Sequence, residues 1–103
     1  MFLSIRKYSG ATSRDEVVKR VEEGLLPQLK EYPGFLAYYA VEFEDGDIGG
    51  ISVYSTKENA DDATLKATTW VRDNLLEFLP NEPQILRGDV LIHDIARTMG
   101  QAA

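Results

Sequence analysis

Five side chains in this sequence are of the types that build a site for a flat organic molecule: Tyr38, Tyr54, Trp70, Arg87 and His93. An indole or a phenol gives a large contact area with one polar atom at its rim. Arginine suits an enolate or carboxylate oxygen, because its guanidinium stays charged and offers several donors in one plane. His93 is the only histidine. Its ordinary pKa, near ~6.5, would suit a general base at neutral pH. No nucleophile stands beside it, and one histidine among scattered carboxylates is a poor metal set. The phenols, with ordinary pKa values near ~10, are donors rather than bases. Each of these residues also has a plainer reading. Trp70 suits a helix–sheet seam; Tyr38, Tyr39 and Tyr54 suit sheet packing or a subunit contact. The sequence therefore nominates pocket residues and leaves the catalytic group unknown.

The 103 residues that position them make one domain. A chain of this size buries roughly two-thirds of the surface it exposes when unfolded. Cysteine is absent, which excludes disulfides, thiol chemistry and zinc–thiolate sites, and a reducing cytoplasm is the expected location. The start MFLSIRKYSG reaches a charge by position 6, so neither a signal peptide nor a membrane span is expected there. The net charge of −6 argues against nucleic acid as a partner.

Four strand-like and two helix-like stretches alternate. FLSIRKY (2–8) alternates and predicts a strand. Ser13 with Glu16 predicts a capping box and a helix from about residue 14. Val17, Val18, Val21, Leu25 and Leu29 would be its apolar stripe, with kinks at Gly24 and Pro27. FLAYYAVEF (35–43) and IGGISVYS (48–55) flank Asp45-Gly46, a hairpin signal. Gly49-Gly50 predicts a bulge or a close backbone approach. Ser55 or Thr56 can cap a second helix running to about Leu79, and QILRGDVLIHD (84–94) is the last strand. The expected domain is 1–96, with 97–103 a frayed tail. The order βαββαβ is the ferredoxin-like α+β arrangement: a four-stranded antiparallel sheet with both helices on one face.

One sheet face must then lie bare in a monomer. Apolar alternation assigns Leu3, Ile5, Phe35, Tyr39, Ile51 and Val53 to the helix side. It assigns Phe2, Arg6, Tyr8, Leu36, Tyr38, Asp89 and Leu91 to the bare side, as a patch for a second copy in a two-fold homodimer, with Arg6 placed to meet Asp89.

LLPQLKEYPGF, the acidic-Gly hairpin, SVYSTKENA, WVRDNL and the final GDV strand together resemble the antibiotic biosynthesis monooxygenase-like family of dimeric α+β barrels. The resemblance covers nearly the whole chain. It implies the homodimer, and it implies oxidation of a small aromatic or polyketide-like compound by O₂ without metal or flavin. Cofactor-free relatives use Trp, Tyr, Asn and Arg around an aromatic substrate; here Trp70 and Asn59 lie in a comparable helix and Arg87 on the final strand. Haem-degrading relatives carry a histidine on the second helix; this chain has none there, which disfavours haem. The expected function is thus a cofactor-free monooxygenase. The alternative is a non-catalytic dimer of the same fold, binding a small molecule or serving a structural role.

Overall fold

A computed structural model describes residues 1–96. The expected tail, 97–103, lies outside the described residues. Strand β1 (Phe2–Tyr8) leads to a helical arm made of α1 (Arg14–Arg20), a π-helical turn (Val21–Leu25) and α2 (Leu26–Glu31). Strands β2 (Phe35–Glu42) and β3 (Ile48–Tyr54) form the hairpin, α3 (Lys57–Asn74) follows, and β4 (Gln84–Asp89) ends the fold. All pairings are antiparallel, in the order β2-β3-β1-β4. The ferredoxin-like α+β expectation is met.

Local chemistry explains most of the boundaries. The Thr56 hydroxyl caps α3 by accepting from Asn59 N–H at 3.1 Å, satisfying one orphan donor of the first turn. Asp45 closes the hairpin by accepting from Asp47 N–H, and Gly46 takes the positive φ of 91°. Ser13 differs from its expectation: it is left-handed (φ 54°) and makes no side-chain cap. Pro27 causes no break, because it lies in the first turn of α2, where no backbone donor is needed. The extra residue of the arm is absorbed instead in the π turn. There, a Cβ on Gly24 would lie 2.6 Å from Trp70 Cζ2. Gly24 is what lets the arm close on α3.

The second helix stops at Asn74 rather than Leu79, and the last strand stops at Asp89 rather than Asp94. Ala60, Ala63, Ala67 and Val71 bury the inner stripe of α3 against the sheet. These small residues hold the helix close.

The faces are the reverse of the apolar assignment. Residues paired across antiparallel strands share a face. Tyr39, Ile51, Ile5 and Leu86 form one row across the four strands. That row lies on the face away from the helices, with Tyr39 and Leu86 more than half exposed. Phe2, Ser4, Arg6 and Tyr8 are all buried under the helices, with Ser52 and Tyr54. Phe2, Arg6, Tyr8 and Tyr38 are therefore not on the bare face. Asp89 pairs with Phe2 rather than meeting Arg6, whose β4 partner is Ile85. Leu36 is exposed at an irregularity between Phe35 and Ala37, and Leu91 is exposed beyond the end of β4. Phe35 stays under the helices as expected, edge-on to Tyr54 with ring centres 5.7 Å apart. The reversal has a physical cause. Beneath the alanine-lined helix the covered face combines large aromatics (Phe2, Tyr8 and Tyr54) with small polar groups that satisfy one another, as the Ser4 and Thr64 hydroxyls do at 2.9 Å.

Candidate functional site

β1 carries Arg6 and Tyr8 two residues apart, so both project toward the helices. β3 sets Gly50 opposite Arg6 and Ser52 opposite Ser4; β2 adds Tyr38 opposite Ser52. Arg6 is 3% exposed, and its Nη2 donates to Ser52 Oγ at 3.0 Å. The expected close approach at Gly49-Gly50 is present. A Cβ on Gly50 would lie 2.8 Å from the Tyr38 hydroxyl and 2.9 Å from Arg6 Nη2. Glycine here makes room for the arginine and the phenol to meet. Val17, Val21 and Leu25 of the helical arm roof the resulting cleft, so the π turn lies directly over it. π turns recur at functional sites for this reason, since they re-aim a helix locally. The free volume is about 30 Å³. That admits a polar head group or a water, not an aromatic ring.

A larger groove of about 280 Å³ lies next door, between α3, the 80–83 loop and Ile85 of β4. Tyr8, Val71 and Leu79 line both spaces and are all buried. Leu65 and Leu76, both well exposed, form the groove's apolar lip. Groove and cleft thus share a wall whose polar member is Tyr8.

Tyr8 is 5% exposed, and its hydroxyl has no hydrogen-bond partner among the described residues. Burial pushes its pKa up to about 12, with Arg6 pulling the other way. Burial likewise raises the Tyr38 phenol, again against Arg6. Both phenols are neutral at pH 7 and can donate to an incoming oxygen. No carboxylate or imidazole lines the cleft. The cleft can bind, orient and polarise; the carboxylate in these two linings, Glu82, belongs to the groove instead.

The nominated residues are scattered. Only Tyr38 reaches the cleft. Tyr54 is fully buried and donates to the Leu29 carbonyl at 2.7 Å, which makes it a strut between β3 and α2. Burial raises its pKa to about 12. Trp70 is half-buried against Gly24, in the seam between the helices rather than in the cleft. Arg87 is half exposed and pairs with Asp61 at 3.2 Å. Asn59 sits beside Gly34 at the entry to β2. His93 is exposed beyond β4. Apolar alternation puts Arg6 and Tyr8 on the opposite face from the one they occupy. The signal for them was the double glycine, which has to face something bulky. Among the described residues, no group of three His, Asp or Glu side chains converges as a metal set.

No family model and no curated protein matches the sequence. Solved structures do. A protein from Nitrosomonas europaea assigned as an antibiotic biosynthesis monooxygenase superposes with a TM-score of 0.69 at 19% identity, over 89% of this chain and 100% of that one. The chain has the antibiotic biosynthesis monooxygenase-like fold. The same fold is seen in the ActVA-Orf6 monooxygenase of Streptomyces coelicolor, solved with the ligand nanaomycin D (TM-score 0.70, 15% identity, 92% and 91% covered). It is also seen in SnoaB, a cofactor-independent oxygenase of Streptomyces nogalater (TM-score 0.64, 11% identity, 89% and 94% covered). A MhuD variant holding two manganese protoporphyrin IX per active site shares it as well (TM-score 0.69, 10% identity, 93% and 100% covered). The antibiotic biosynthesis monooxygenase-like fold thus serves proteins with and without a bound porphyrin. Among the described residues here, no helix carries a histidine and none is long and apolar enough to cross a membrane.

Proposed function

We propose that the protein is a cofactor-free monooxygenase acting on a small aromatic or polyketide-like compound. One observation carries this reading: a ligand-sized groove ends on a buried phenol whose hydroxyl has no partner among the described residues. The groove is close to the lower size of small-molecule sites, which start at about 300 Å³, and its lining mixes apolar side chains with Thr68, Thr69, Arg72, Asn81 and Glu82. The cofactor-independent oxygenase with this fold supports the same reading. The substrate would supply the carbanion that reacts with O₂. The protein would supply orientation and shielding from water, with Tyr8 donating to the substrate oxygen.

The working unit is a homodimer. The row Tyr39–Ile51–Ile5–Leu86 is too apolar for open water, and a second copy placed sheet to sheet would cover it.

O₂ consumption with a panel of phenols and quinols, in chelator-treated buffer, tests the activity. The expected result is uptake above buffer with at least one compound and a loss of tenfold or more in Tyr8→Phe. Trp70→Phe and Arg87→Ala should keep the wild-type rate, since neither lines the groove or the cleft. No uptake across the panel would reject the oxygenase. The second reading, a small-molecule-binding protein without catalysis, would then stand; the lack of any carboxylate or imidazole in the cleft favours it.

A further inference from the structure

The chain carries 17 carboxylates, yet Arg6 pairs with none of them among the described residues. It is also the only buried charged residue among them. A guanidinium has five N–H donors and is always charged. Arg6 uses one on Ser52 Oγ, and the Tyr38 hydroxyl lies beside it. Arg6 and Tyr8 both line a void sized for one polar group, and the Tyr8 hydroxyl has no partner among the described residues. Burying a cation without an anion is costly, and removing its water is worthwhile only if another partner replaces it. A guanidinium with neutral phenols beside it makes a receptor with more hydrogen-bond donors than acceptors. Such a receptor prefers anionic oxygen over a neutral carbonyl or hydroxyl.

We infer that Arg6, Tyr8 and Tyr38 form a buried anion receptor that takes the anionic oxygen of a flat ligand, a carboxylate, enolate or phenolate, whose body lies in the adjoining groove. This deepens the proposed function by naming the ionic form of its ligand, but it does not depend on oxygen chemistry. Tyr8, Val71 and Leu79 line both spaces, so such a ligand would have to displace or pass this shared wall to reach from groove to cleft. Glycine at position 50 is part of the receptor, because any side chain there would occupy the space of both donors.

Titration calorimetry with sodium benzoate and with benzamide tests this at pH 7, where one is an anion and the other its neutral near-isostere. Benzoate should bind saturably and at least tenfold more tightly than benzamide. Arg6→Met should abolish that preference, whereas Arg6→Lys, which keeps the charge, should retain part of it. Circular dichroism confirms that each variant is folded; if Arg6→Met is not, Tyr8→Phe must weaken benzoate binding instead. Equal binding of both probes, no binding of either, a preference that survives in folded Arg6→Met, or benzoate binding undiminished in Tyr8→Phe would overturn the inference. A benzoate preference without O₂ uptake on any substrate would reject the oxygenase and leave the receptor standing. Uptake without the preference would do the reverse.

Discussion

Tyr54 and Tyr8 are both buried phenols, set on neighbouring strands, and removing the same atom from each should change stability in different ways. Tyr54 donates to the Leu29 carbonyl at 2.7 Å in a fully buried position. Tyr54→Phe deletes a net contribution of about 1 kcal/mol. The loss stays at that level because the Leu29 carbonyl keeps a second donor, Tyr32 N–H at 3.2 Å. For a chain of this length, 1 kcal/mol lowers Tm by about 4–8 °C. Tyr8 loses no hydrogen bond to the described residues when its hydroxyl is removed. Holding a hydroxyl in an apolar site without compensation costs about 1–3 kcal/mol, so Tyr8→Phe should leave Tm unchanged or raise it. Thermal unfolding of the three proteins at one concentration, followed by circular dichroism, gives both numbers. A Tyr8→Phe variant that melts as low as Tyr54→Phe would mean that the fold itself satisfies the Tyr8 hydroxyl. It would remove the reason for assigning that hydroxyl to a ligand.

Two more outcomes follow from the same geometry. Tyr8 and Tyr54 ionise near pH 12 in the folded chain and near pH 10 when unfolded, so the fold favours their neutral forms. Their contribution is fully present below pH 10 and is lost as pH rises through 12, on the order of 2–3 kcal/mol for each two-unit shift. Urea midpoints should therefore fall above pH 10 as phenolate absorbance at 295 nm appears, and the fall should be shallower in Tyr54→Phe; complete phenolate formation with an unchanged midpoint would contradict this. On the bare face, wild-type protein should sediment as a dimer at micromolar concentration and Ile51→Glu as a folded monomer, because the charge would interrupt the row across the sheet. A monomeric wild type would remove the dimer from the proposed function.

The sequence by itself determined the element order and therefore the topology. Hydrophobic period, the Thr56 cap and the Asp45-Gly46 hairpin are local signals, and all of them act within a few residues of chain. Gly49-Gly50 announced a close approach without saying to what. Only the tertiary structure decided which strand face the helices cover. Both parities of β1 are compatible with burial: Leu3 and Ile5 on one side, Phe2 and Tyr8 on the other. Apolarity favours the first, but the helices cover the second, burying Ser4, Arg6 and Ser52 along with Phe2, Tyr8 and Tyr54. The face the helices leave bare carries the row Tyr39–Ile51–Ile5–Leu86. That long-range choice moved Arg6 and Tyr8 from an expected dimer patch into the cleft. It also left Trp70, Arg87 and His93 outside it, and brought Tyr38 beside a guanidinium 32 positions earlier in the chain.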